Sequence, residues 1–164
     1  ALAPKSIFAY RYNSASCERC LQAGLPTATS LQLMINHSFP RPGHNCEYFR
    51  CPSGVVPNQE AAEAMRAALT ETGGGPVLAV WESFNVQPLL GQLGVPDPPP
   101  WDWVNCEYDY NRMFKVTFTK TPDGWAYGSY DKLTEGMPCL SSRMAASAAE
   151  NNATWPPTNF QSAA

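Results

Sequence analysis

Two short segments carry the side chains best suited to chemistry. Residues 11–19 hold Arg11, Asn13, Ser14, Ser16 and Arg19, and residues 82–85 hold Glu82, Ser83 and Asn85. Guanidinium groups beside small polar residues at a helix start make an anion cradle, because positive charge and N–H donors converge there. Arg11, Asn13 and Arg19 are the candidates for that role. Glu82 is a candidate base or the ion-pair partner of Arg19. Ser83 is followed by Phe84 and not by the glycine of a nucleophile elbow, which argues against a serine hydrolase. A hydrolase of another kind would pair Glu82 with a second acid such as Asp109 across one cleft.

The cysteines bear on compartment. There are six, Cys17, Cys20, Cys46, Cys51, Cys106 and Cys139, in a chain with two glycosylation sequons at Asn36 and Asn152. An even count with few charges favours disulfides in a secreted, extracellular glycoprotein. Cys17-Glu18-Arg19-Cys20 also has the spacing of a zinc or redox pair. Cys46 and Cys51 are spaced too widely to complete a zinc ribbon, so no metal and no cofactor are expected. The sequence does not choose among the possible pairings. Cys46–Cys51 would close a short Pro/Gly-rich loop, and Cys106–Cys139 would tie the C-terminal tail to the body. His37 and His44 are read as surface residues of that loop rather than ligands.

These groups must be positioned by regular elements. Ser6–Tyr12 reads as a strand and Cys17–Leu33 as a helix, with Leu21, Leu25, Ala28, Leu31 and Leu33 at roughly helical spacing around a kink at Pro26. The segment 36–57 is rich in Pro, Gly and Asn and is predicted to be a long loop. Asn58 is the expected N-cap of a helix over Gln59–Thr72, which the glycines from Gly73 stop. Pro76–Trp81 is a continuous apolar run, predicted to be a strand buried on both faces. A short helix over Asn85–Leu93 and a hairpin of Tyr110–Lys120 with Trp125–Leu133 follow. The order predicts an α/β fold of three layers, a mainly parallel sheet flanked by helices with a C-terminal β-hairpin. Residues 1–140 form the domain and 141–164 an extended or disordered tail.

A chain of 164 residues can bury a core without staples. Its net charge of −3, without a basic run, gives no electrostatic footprint for nucleic acid. No stretch approaches the ~20 apolar residues of a membrane span. The start at Ala1 carries the expectation that a signal peptide or propeptide has been removed. Trp101, Trp103, Tyr108, Tyr110 and Trp125 gather in the last third, either as a glycan-stacking platform or as core and hairpin packing.

The segment Gly73–Gly94, GGGPVLAVWESFNVQPLLGQLG, resembles the second catalytic block of the histidine phosphatase (phosphoglycerate-mutase-like) superfamily. That block runs from a glycine stop through a buried strand to a histidine and a helix ending in Leu-Gly. One secreted fungal branch has Trp-Glu-His at the strand end, where this chain has Trp81-Glu82-Ser83. Upstream, Ile7-Phe8-Ala9, then Arg19-Cys20-Leu21-Gln22 and Pro26-Thr27-Ala28 look like the family's strand, pocket arginine and helix. Cys46, Cys51 and Pro138-Cys139 also resemble that branch, and the likeness spans about residues 6–139.

The family's nucleophile lies in Arg-His-Gly on the first, central strand, and no Arg-His-Gly occurs here. In the preferred alignment that strand would precede Ala1, making the chain a truncated relative or a processed fragment. In a second alignment Arg11-Tyr12-Asn13 is the relic of the motif. Either way Glu82 and Ser83 mark degenerate catalytic positions and the nucleophilic imidazole is missing, which implies no phosphatase activity. The expected role is binding, of a small anion at Arg19, a glycan or a partner protein. A sheet edge exposed by a missing strand would offer a route to a homodimer.

Overall fold

The structure, a computed structural model, describes residues 2–13, 17–44, 58–99 and 112–134. Its elements run β1 (Ser6–Tyr10), α1 (Arg19–Leu31), β2 (Ile35–Phe39), α2 (Gln59–Glu71), β3 (Val77–Val80), α3 (Ser83–Gln92), β4 (Arg112–Thr121) and β5 (Gly124–Thr134). The first three strands form a parallel sheet in the order β2-β1-β3, and β4 and β5 form a separate two-stranded hairpin. The mixed α/β class, the parallel sheet and the hairpin are as the residue pattern indicated.

Helices cover both faces of β1. Strand residues alternate sides, so Phe8 joins Ala61, Ala62, Met65 and Ala68 of α2 and Leu89 of α3 in one cluster. Ala9 points the other way, into a cluster with Cys20 of α1 and the partly buried Ile35 and Val80. The face that α1 turns to the sheet is built from small residues, Cys20, Gly24 and Ala28, and not from the leucines at helical spacing. Leu25 is 47% exposed. The reason is proximity. A Cβ added to Gly24 would stand 3.2 Å from Ile35 Cδ1 and within 4 Å of Val80 and Ile7. Bulkier side chains there would push the helix off the sheet.

Two further expectations are corrected. The segment 36–57 is not loop from its start, because Ile35–Phe39 is the strand β2, paired with β1. Its alternation of half-buried and exposed residues is the period-two pattern of a strand, hidden by its polar composition. The apolar run at Val77–Val80 is not buried on both faces: Ala79 is exposed, and among the described residues β3 has no strand on its outer side. Among the described strands of this sheet, Ser6–Tyr10 is the middle one.

The chain divides into two compact units, Ala1–Trp101 with Lys115–Asp131, and Asp102–Phe114 with Lys132–Ala164. In the first, Val116 and Phe118 of the hairpin pack on the Phe8 cluster, and Trp125 Nε1 donates to Thr70 Oγ1 at 3.1 Å. In the second, the described residues are the outer strand ends 112–114 and 132–134. The tail at 141–164 lies outside the described residues.

Replacing Gly24 by leucine is expected to lower stability by about 2 kcal/mol, because overpacking moves α1 off the sheet. Urea denaturation measures this. A loss below about 0.5 kcal/mol would contradict the close packing of α1 on β1 and β2.

Candidate functional site

The parallel register decides which residues meet. Ala9 pairs with Val80, so Tyr10-Arg11-Tyr12 and Trp81-Glu82-Ser83 leave the sheet side by side at its carboxyl end. That end is where open α/β sheets place their sites. The Tyr10 ring meets Tyr12 and Trp81 edge-on, at centroid separations of 5.2 and 5.3 Å. Helix α1 begins over Tyr12, with the Arg19 guanidinium 5.4 Å above the Tyr12 ring centroid.

Glu82 occupies the N-cap of α3. Its carboxylate accepts from the Asn85 backbone N–H at 3.2 Å, from Asn85 Nδ2 at 2.8 Å and from Ser83 Oγ at 2.9 Å. This satisfies donors that a helix start otherwise leaves open. Asn85 is only 1% exposed and carries the network inward. Its Nδ2 also donates to the Tyr10 hydroxyl at 3.2 Å, and its Oδ1 accepts from Asn58 Nδ2 at 3.1 Å. Asn58 Oδ1 in turn accepts from Trp81 Nε1 at 2.8 Å. Asn58 stands at the expected start of α2, but its side chain does not cap that helix and serves this network instead.

The second group is Tyr12, Arg19 and Cys20. The Tyr12 hydroxyl lies 3.4 Å from Cys20 Sγ. Burial, first of all, holds the Tyr12 phenol far above its ordinary range, helped by the contact with Cys20 and the charge of Glu82 and opposed by Arg19. Burial also raises the Cys20 thiol, with Glu82 and Cys17 adding to the rise while the Tyr12 hydrogen bond and Arg19 oppose it. Both groups are therefore neutral at neutral pH, and the Ser83 hydroxyl hydrogen is directed at Glu82. Neither Tyr12 nor Cys20 is an activated nucleophile, whereas the Ser83 hydroxyl has a carboxylate as its acceptor.

Of the residues singled out from sequence, Arg19 and Glu82 both act on Tyr12 and Cys20, and Ser83 bonds Glu82. Arg11 continues the β1–β2 ladder, its backbone N–H donating to the Phe39 carbonyl at 2.8 Å, and Asn13 is exposed just beyond. His37 is a correction. It sits on β2, and its Nε2 lies 3.1 Å from the Tyr10 carbonyl oxygen. A carbonyl only accepts, so Nε2 carries the hydrogen. His44 is elsewhere, 3.5 Å from Glu60 Oε2, which Arg41 Nε approaches to 3.2 Å. That oxygen is buried without a directed hydrogen bond, so its contact with Arg41 is one of charge. Cys17 and Cys20 were expected in disulfides but are free thiols here, Cys20 having Tyr12 as its partner. Cys46, Cys51, Cys106, Cys139, Asp109 and Asn152 lie outside the described residues.

Sequence reasoning missed Tyr10, Asn58 and Asn85 as members of one network. The available signal was the spacing of Glu82 and Asn85, an acceptor at an N-cap and a donor three residues on, akin to a capping box. Comparison with protein-family models, with curated proteins and with solved structures found no match for this chain.

Asn85→Ala strands the buried Asn58 amide and frees Glu82, with an expected loss of about 3 kcal/mol in urea denaturation. A second expectation concerns alkali. A raised folded-state value for Tyr12 gives stability that is full below the unfolded value, about 10, and is lost as pH rises above it. Stability measured between pH 9 and 11 should fall less steeply in Tyr12→Phe than in the parent protein.

Proposed function

We propose that this chain is a secreted, catalytically inactive histidine-phosphatase-like protein that binds a small oxyanion between Arg19 and the carboxyl ends of β1 and β3. The observation that carries the reading is the neutral Tyr12 hydroxyl, turned to Cys20 Sγ under the Arg19 guanidinium. β1 is the middle strand, with Arg11-Tyr12-Asn13 leaving its carboxyl end beside Trp81-Glu82-Ser83. This supports the alignment in which Arg11-Tyr12-Asn13 stands for Arg-His-Gly. Tyr12 and Ser83 stand in the places of the two imidazoles. A phenol held protonated cannot attack phosphorus, whereas a guanidinium still attracts the oxyanion.

Glu82 is better suited to building the site than to hydrolysis. Its two oxygens already take three donors, two of them from Asn85, which fixes the carboxylate at the start of α3. Its negative charge also tunes the ligand. One carboxylate beside the Arg19 guanidinium leaves no net positive charge, so an oxyanion would be held by charge-assisted hydrogen bonds from Arg19 and not by a net field. For the secreted glycoprotein reading, the support is that Asn36 is exposed on β2. Protein from a secretory host should then lose mass on enzymatic removal of N-glycans.

Calorimetric titration with phosphate, sulfate and glucose 6-phosphate tests the binding. Saturable binding weakened at least tenfold by Arg19→Ala is expected, because a charge-assisted contact is worth about 1.5–3 kcal/mol. The protein should release no nitrophenol from p-nitrophenyl phosphate. Turnover abolished by Tyr12→Phe or Glu82→Gln would overturn the inactive reading, and absence of heat with all three ligands would overturn the anion.

A further inference from the structure

Cys17 and Cys20 bracket the start of α1 with two residues between them, Glu18 at the N-cap and Arg19 as the first helical residue. They differ in access. Cys17 is partly exposed, whereas Cys20 is 6% exposed, packed with Ala9 and Tyr10. Cys17 lies just before the N-cap, outside the turns of α1, and is near enough for its charge to act on Cys20. A disulfide brings the two Cβ atoms to about 3.8 Å, an adjustment of the chain that enters the helix and not of the helix itself. Among the described residues, no third Cys, His, Asp or Glu joins them in a group able to hold a metal.

We propose that Cys17 and Cys20 form a reversible dithiol–disulfide pair, with Cys17 the attacking thiol, Cys20 the resolving thiol and Tyr12 the residue that positions the resolving sulfur. The oxidant is a small-molecule disulfide such as oxidised glutathione. The Cys17 thiolate attacks one sulfur of that disulfide, and one glutathione thiolate leaves and takes up the Cys17 proton. The Cys20 thiolate then attacks Cys17 Sγ, the mixed disulfide breaks, and a second glutathione leaves with the Cys20 proton. Two protein thiols are oxidised, and one disulfide is reduced to two thiols.

Asymmetric access enforces the order, because only the exposed sulfur meets the reagent. Tyr12 acts in the second step. Its hydroxyl, 3.4 Å from Cys20 Sγ, donates to the sulfur as negative charge develops there. The loop that closes is very short, so the bond removes little unfolded-state entropy and is poorly suited to being a permanent staple. The pair stands independently of the anion reading, since neither thiol needs the ligand.

Trypsin makes the test direct, because Arg19 lies between the two cysteines. After incubation with oxidised glutathione, digestion without reduction should release Tyr12–Arg19 joined to Cys20–Arg50, fragmentation of the linked pair should place the bond on Cys20 and not on Cys46, and dithiothreitol should part them. In the reduced protein, Cys17 should react with iodoacetamide at least tenfold faster than Cys20. Cys20→Ser should stop at one glutathione on Cys17, and Tyr12→Phe should lengthen the life of that mixed disulfide several-fold. Both sulfurs remaining thiols, or either found joined to Cys46, Cys51, Cys106 or Cys139, would overturn the pair. Equal closure rates with and without the Tyr12 hydroxyl would remove Tyr12 from it.

Discussion

The buried amide of Asn85 ties four elements together. Its two N–H hydrogens go to the Tyr10 hydroxyl at the end of β1 and to the Glu82 carboxylate after β3, and its oxygen takes a hydrogen from Asn58 at the start of α2. Asn85 itself belongs to α3. An amide out of contact with water must satisfy every group it carries, so its position is dictated by partners distant in sequence. Trp81 completes the network through Asn58 and also packs against the Tyr10 ring. The register of β3 on β1, the entry of α3 and the start of α2 are thus mutually constrained. The ends of both strands are presented to solvent in one arrangement.

On that platform sit a phenol and a thiol whose ionisation is made harder by their surroundings. Tyr12 and Cys20 are kept protonated mainly by desolvation, and the nearby Glu82 deepens the effect. Arg19 opposes it and lies over the ring face, where a guanidinium interacts through the π-system. The same desolvation gives Cys17 and Cys20 different accessibilities, which orders their chemistry with an outside disulfide.

The close packing of α1 follows from the same sheet. Gly24 comes within van der Waals reach of Ile7, Ile35 and Val80, one residue from each of the three strands. A helix so near the sheet carries its first turn, Arg19 and Cys20, down onto Tyr12. On the opposite face, α2 and α3 meet Phe8 through alanines, Met65 and leucines, and the hairpin adds Val116 and Phe118. The candidate site is thus set by packing on both faces of one five-residue strand.

The amino-acid sequence determined the elements with strong local signals: the helix over Gln59–Glu71 with its glycine stop, the apolar strand at Val77–Val80 and the hairpin around Asp123-Gly124. The position of Glu82 and Ser83 just past a strand was legible too, because polar residues after an apolar run mark a strand end. Periodicity and turn chemistry act over a few residues, and these features depend on nothing farther away. What tertiary structure alone decided was long-range. β2 is polar enough to read as loop, and only its pairing with β1 makes it a strand. Leucines at helical spacing suggested the buried face of α1, but the nearness of the sheet selected Gly24 and Ala28. Asn58 and Asn85, 27 residues apart, and Tyr10, 75 residues from Asn85, form one network because folding removes water from all three at once. No local pattern encodes which distant amide will supply the missing hydrogen bond.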